Sequence, residues 1–328
     1  MAADLQIGQT LQGKWGSYTI REQLHRRIWT AISSTSQRVT VKTAADWPLN
    51  NERHILEDVR NNPCIRPIID TSDEPPSLIL KYLDDNLLNA SNAKKLGRAD
   101  IKHVAGTILQ ALEALHSRGY VHTGVVQNAQ TRCHAVPNEP ADIKPDNILV
   151  NYGAAPDRFS EVLLGDCGDA FRVDPDASPF EEGHVIGAAI FRSPEAMLNL
   201  RWRAPTDIWS FGATLISLIW GNNWHIFKPT DVAFESDEYP LQVLIKQVSI
   251  FGPVPLSYGE IADEERLGIL TSVVNLVNEH NLQKPFYMSV DQELSTEDRM
   301  FICKIMKLDP RDRPTAKELL QDEWFRQE

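Results

Sequence analysis

The chain reads as strand-rich up to about Leu83-Asp84 and as helical beyond it, and this restricts it to folds in which a strand-rich part precedes a helical one. Ser17-Tyr18-Thr19-Ile20, Ile28-Trp29-Thr30-Ala31-Ile32 and Arg38-Val39-Thr40-Val41-Lys42 are short β-branched and aromatic runs between polar turns, the pattern of strands. A helix is expected from Asn50 or Asn51, either able to cap it, carrying Glu52, Ile55, Leu56 and Val59. Ile79 to Leu83 reads as a further strand. Beyond that point Ile101, Val104, Ala105, Ile108, Leu112 and Leu115 recur at helical spacing behind a capping Asp100. Asp207 to Trp220 predicts a helix apolar nearly all round, which must be buried. Thr315-Ala316-Lys317-Glu318 has the form of a capping box. The expected architecture is α+β: an extension over residues 1–16, a small β-rich lobe over 17–83 and a larger, mostly helical lobe over 84–328.

Composition narrows the function classes. With 328 residues, 42% hydrophobic and 24% charged, the chain can fill two lobes of a soluble globular protein. A net charge of −12 argues against binding to a nucleic acid backbone. Cys64, Cys133, Cys167 and Cys303 have no metal-ligand spacing, so neither a disulfide framework nor a cysteine metal site is expected. Met1 to Gln6 lacks the basic and apolar regions of a signal peptide, and Ile208 to Trp220 is too short to span a bilayer. The expectation is a cytoplasmic or nuclear monomer without membrane or nucleic acid partners.

Five local patterns carry chemistry: Asp142-Ile143-Lys144-Pro145-Asp146-Asn147, Asp166-Cys167-Gly168, Ser193-Pro194-Glu195, Asp207-Ile208-Trp209-Ser210-Phe211-Gly212, and Arg311-Asp312-Arg313-Pro314-Thr315-Ala316. In this order and spacing they resemble the eukaryotic protein kinases of the serine/threonine type, over nearly the whole chain from Tyr18 to Phe325. The resemblance implies a two-lobed protein kinase fold that takes ATP and Mg²⁺. It gives Asp142 the role of base toward an attacking hydroxyl and Lys144 that of a cation at the transferred phosphate. It makes Asn147 and Asp166 metal ligands, whose hard oxygens suit Mg²⁺. Lys42 would hold the α- and β-phosphates, with Glu52 as its orienting partner and Glu57 as the fallback. Leu24, Ile28, Thr40, Leu83 and Leu149 would complete the ATP site. Asp207 and the Glu195 to Arg313 pair are implied to brace the large lobe, and His122 to pack. Arg192 and Phe251-Gly252-Pro253-Val254-Pro255 resemble the branch that holds the cyclin-dependent, mitogen-activated and SR-protein kinases. The phrase around His122-Thr123 looks most like the SR-protein kinases and their fungal relatives. That branch implies a protein substrate with Ser or Thr in basic or proline-flanked segments.

Four residues or segments depart from the pattern. Leu24-His25-Arg26-Arg27-Ile28-Trp29-Thr30-Ala31 is short and lacks the glycines that let backbone amides approach phosphates. Thr123 replaces the usual Arg before the base, Cys167 replaces Phe, and Ala188 replaces Thr. The rival expectation is therefore a pseudokinase that keeps the fold and acts by contact.

A fifth departure is larger: eighteen residues, Gly124 to Ala141, separate Thr123 from Asp142. Codons for Gly124 and for Ala141-Asp142 can supply GT and AG boundaries in frame, so the stretch fits a translated intron. It also fits a polar surface loop. Tryptic peptide mass spectrometry of the endogenous protein decides between them. The intron reading predicts a peptide joining Thr123 directly to Asp142; the loop reading predicts peptides ending at Arg132 and beginning at Cys133.

Overall fold

Six antiparallel strands form the first sheet, in the spatial order β1 (Thr10–Gln12), β2 (Ser17–His25), β3 (Ile28–Ser33), β4 (Arg38–Lys42), β6 (Pro76–Lys81), β5 (Ile68–Asp73). The computed structural model describes residues 5–43, 46–122, 143–174, 176, 186–290 and 294–327. Asp142, Thr123, Ser178 and the whole of Gly124 to Ala141 lie outside the described residues. Helix α1 (Asp46–Asp58) follows β4.

The sheet separates two cores because its strands alternate faces. Val39, Val41 and Ile79 enter a small core with Leu5, Leu11, Ile20, Trp29 and Ala31. Leu78 and Leu80 point the other way, into a core that takes in α1 residues Ile55 and Leu56 and continues through the larger lobe. That division explains why β6 was hard to bound from sequence. Its Ser-Leu-Ile-Leu run is buried on both faces, so no alternation marks its ends, and it occupies Pro76–Lys81 where Ile79 to Leu83 was expected. β1 and β5 were not anticipated, and β1 brings residues 10–12 into the sheet. Helix α1 starts a turn earlier than expected, at Asp46. Pro48 sits in the first turn, where its missing N–H costs nothing.

The larger lobe opens with β7 (Asp85–Asn86), α2 (Leu87–Ala93) and α3 (Arg98–His116). Asp100 does not cap α3: Gly97 holds that position, and the Asp100 carboxylate accepts from the Gly97 N–H at 3.1 Å. β8 (Tyr120–Val121) pairs with β11 (Phe171–Arg172), and β9 (Ile148–Tyr152) lies between β10 (Phe159–Leu164) and β7. The helices α4 (Pro194–Met197), α5 (Pro205–Trp220), α6 (Tyr239–Phe251), α7 (Glu264–Glu279), α8 (Thr296–Ile305) and α9 (Ala316–Leu319) follow. The capping box expected at Thr315 and Glu318 opens α9.

Helix α5 is the hub, with every residue from Thr206 to Ile219 buried. Asp207 accepts hydrogen bonds from the His122 backbone N–H and from His116 Nε2, both at 2.8 Å. Two turns along, Thr214 donates to the Ile143 carbonyl at 2.5 Å. His122 in turn donates from Nε2 to the Gly165 carbonyl at 2.9 Å. Burial holds the His122 imidazole below its usual value of 6.5, although Asp207 pulls the other way. Glu195 and Arg313 form two bonds of 2.7 Å. Arg313 also donates to the carbonyls of Pro205, Lys307 and Leu308, which ties α4, the start of α5 and the approach to α9 together.

Both anchors make measurable predictions. Glu195→Ala leaves a fully buried guanidinium without its carboxylate, and chemical denaturation should show a loss of about 3–5 kcal/mol. Since His122 has a lowered pKa, the unfolded chain binds a proton that the folded chain refuses. Stability should therefore fall as pH drops below the ordinary imidazole value of 6.5, by up to about 1.4 kcal/mol per pH unit for this group. Denaturation at pH 7 and pH 5.5 checks the slope, and His122→Asn should remove its share.

Candidate active site

Lys42 closes β4, and strand alternation turns it and Thr40 away from the small core that takes Val39 and Val41. Its Nζ stands 2.7 Å from Glu52 Oε2 and 2.5 Å from Asp166 Oδ1. Glu52 reaches it from α1 and is itself buried. Glu57 does not compete, being exposed and paired with Arg53 at 3.0 Å. Asn51, expected at the helix start, lies inside α1, and its side chain donates to the carbonyls of Gly168 at 3.0 Å and Ala170 at 2.8 Å. The small lobe's helix is thereby stitched to the segment that carries Asp166.

Asp166 has φ +57°, a left-handed conformation uncommon outside glycine. Its predecessor is fixed from two sides: the Gly165 N–H donates to the Asn147 carbonyl at 2.8 Å, and the Gly165 carbonyl accepts from His122. Around the cluster the backbone is close, because a Cβ on Gly168 would lie 3.4 Å from Glu52 Oε2 and 3.6 Å from Lys42 Nζ and Asp166 Oδ1. Cys167 packs as a small apolar residue, with no exposure, and burial pushes its thiol far above the ordinary range.

Electrostatics explain how these charges coexist. Burial opposes the charge on Lys42, yet Asp166 and then Glu52 hold the ammonium above its ordinary range. Burial likewise works against ionised Asp166, and the Lys42 cation outweighs it, so that carboxyl is lowered. For Glu52 burial wins, and the carboxyl is raised in spite of Lys42. Lys144, buried in the larger lobe with its Nζ 3.7 Å from Asp146 Oδ2, adds a favourable charge for Asp166.

Asn147 ends a short 3-10 turn, Pro145–Asn147, and its backbone bond to Gly165 places it beside Asp166. The pair offers an amide oxygen and a carboxylate, the hard donors that Mg²⁺ takes while leaving positions for phosphate oxygens. Among the described residues no set of three or more His, Cys, Asp and Glu side chains is gathered for a metal. The donor set thus fits a metal that arrives with a phosphate ligand.

The remaining expected positions divide. Thr40 and Leu83 are buried, Leu149 is half-buried against Gly165, and Ile28 pairs with Lys42 across the strands. Leu24 is 43% exposed on a hairpin whose turn is only Arg26-Arg27. Two residues on this face escaped the sequence reading. Thr30 lies buried opposite Thr40. Arg66 donates from Nη2 to Thr40 Oγ1 at 2.7 Å and from Nε to the Lys81 carbonyl at 2.8 Å. Burial lowers the Arg66 guanidinium to about 10, with Glu52 and Asp166 opposing the shift. Only the alternation of β3 signals Thr30; no local pattern signals Arg66.

Comparison with known proteins bears on the family. A profile of the protein kinase domain matches residues 133–325. A serine/threonine protein kinase of Aspergillus fumigatus is 27% identical over 244 residues, 69% of this chain and 57% of that protein. Mitogen-activated protein kinase kinase kinase 17 of Arabidopsis thaliana is 28% identical over 173 residues, 52% of this chain and 37% of its own length. The mitogen-activated protein kinase pmk-1 of Caenorhabditis elegans is 24% identical over 242 residues, 73% of this chain and 52% of its own. The chain spans about half the length of the curated relatives it matches. No helix among the described residues is long and apolar enough to cross a membrane. With a β-rich first lobe, a helical second lobe and more than half its length matched by the family profile, the chain belongs to the protein kinase family.

Proposed function

We propose that the chain is an ATP- and Mg²⁺-dependent protein serine/threonine kinase that transfers the γ-phosphate to a hydroxyl of a protein substrate. The observation that carries this reading is the Lys42–Glu52–Asp166 cluster, in which one ammonium is shared by carboxylates from both lobes at 2.7 and 2.5 Å. A structural ion pair would need only one partner; a cation held between two carboxylates stays charged and positioned for phosphate oxygens.

Phosphoryl transfer asks a protein mainly to position its reactants and to neutralise charge. Lys42 would bind the α- and β-phosphates, held in place by Glu52. Lys144 would neutralise charge on the transferred group. Asp142 would accept the proton of the attacking hydroxyl and aim its oxygen at the γ-phosphate. Asn147 and Asp166 would hold Mg²⁺, which would supply positive charge to offset that of the phosphates. Leu149, Thr40 and Leu83 would line the base side of the cleft. The substrate class favoured by the branch resemblance is Ser or Thr in basic or proline-flanked segments, and the net charge of −12 suits a basic partner.

One feature favours a second reading. The tight β2–β3 hairpin has no glycine-bearing loop to fold over phosphates, which is what a pseudokinase working as a binding module would tolerate. Transfer of labelled phosphate from ATP to a basic protein separates the two. The chain lacking Gly124 to Ala141 should transfer phosphate, and Asp142→Asn should reduce its rate by about 10²–10⁴-fold. Lys42→Met should depress nucleotide-dependent turnover as well. Equal rates in the parent and Asp142→Asn chains would remove Asp142 from the mechanism. Absence of transfer with retained nucleotide binding would establish the binding module.

A further inference from the structure

Arg66 is a cation inside the cleft that the proposed chemistry does not use. It enters from the floor of the larger lobe: its backbone N–H donates to the Leu164 carbonyl at 2.8 Å, two residues before Asp166. Its side chain then crosses to the sheet. Nη2 meets Thr40 Oγ1 at 2.7 Å, and Nε meets the Lys81 carbonyl at 2.8 Å. Thr40 faces Leu80 across the β4–β6 pairing, so the guanidinium bridges from Thr40 to Lys81 at the end of β6. Leu83 follows two residues later.

That strip has a definite place in the cleft. With phosphates at Lys42 and Asp166, the flat base of a nucleotide must lie farther along the same face, against Thr40 and toward Leu83. A base carrying an amino group also needs an acceptor, and the Lys81 carbonyl at the strand end already accepts from Arg66 Nε. The guanidinium is itself planar and of similar thickness to a base, so the two compete for one slot.

We infer that Arg66 is an internal plug of the base subsite: it occupies the place of the nucleotide base, and nucleotide binding requires its displacement from Thr40 and the Lys81 carbonyl. The inference rests on the proposed placement of the phosphates at Lys42. It assigns Arg66 a specificity role, weakening the binding of whole nucleotides relative to their phosphate chains.

Isothermal titration of the full chain with Mg-ATP and with Mg-tripolyphosphate tests it, because tripolyphosphate has phosphates and no base. Arg66→Met removes the fork and keeps the stem; it should bind Mg-ATP about ten- to hundredfold more tightly, the equivalent of two hydrogen bonds of ordinary net strength no longer broken. Tripolyphosphate should show no gain. Thr40→Val, isosteric with the parent, removes one of the two bonds and should tighten Mg-ATP by a smaller factor, so the inference stands on a conservative variant if Arg66→Met folds poorly. Unchanged or weaker Mg-ATP binding in both variants, with tripolyphosphate binding still abolished by Lys42→Met, would overturn the plug and leave the proposed function intact. Tripolyphosphate binding that ignores Lys42→Met would overturn the phosphate placement, and the plug with it.

Discussion

The ammonium of Lys42 is the point at which the two lobes are held to one another. It comes from β4 of the sheet, while Glu52 comes from α1 and Asp166 from the segment after β10. Each of these carboxylates would be costly to bury alone, and each is tolerable because the same cation serves both. Arg66 completes the balance, giving two cations to two carboxylates within one partly closed cleft. The hydrogen bonds of Asn51 to Gly168 and Ala170 run parallel to this cluster, so the orientation of α1 does not depend on charge alone.

A second layer sets where Asp166 stands. Its left-handed backbone is maintained by Gly165, and Gly165 is held by Asn147 and His122. His122 is in turn fixed by Asp207 on the buried helix α5. The chain of contacts from helix to carboxylate is entirely hydrogen-bonded. Two of the departures from the family pattern fall outside this chain. Cys167 fills its space without exposed surface, and the missing glycines affect only the outer hairpin.

Much of this was legible from residue order because the family motifs are local. The Lys42–Glu52 pair, the placement of Asp207 and the Glu195–Arg313 pair each follow from a short pattern, and the structure shows those contacts, while the Lys42–Asp166 contact is one the patterns do not suggest. What could not be read depends on where a side chain goes after it leaves its own element. Asn51 has the composition of a helix cap and serves as a link between lobes. Asp100 is a good capping residue that works three positions inside the helix. Arg66 sits in a stretch with no motif, and its partners Thr40 and Lys81 are 26 and 15 positions away in opposite directions. Leu24 shows the converse: its place in a strand hairpin is clear, but a two-residue turn leaves it at the exposed end of that hairpin.

The two bonds that α5 makes with His122 and Ile143 have a consequence for how this fold can change. They hold His122 and Ile143 at points about 10 Å apart along one helix face, from Asp207 to Thr214. The spacing is set by the helix and is independent of what joins the two ends. Each doubling of the joining segment then costs only about 0.6 kcal/mol of closure entropy. The helix therefore acts as a fixed frame that holds His122 and Ile143 in place independently of the length of chain between them.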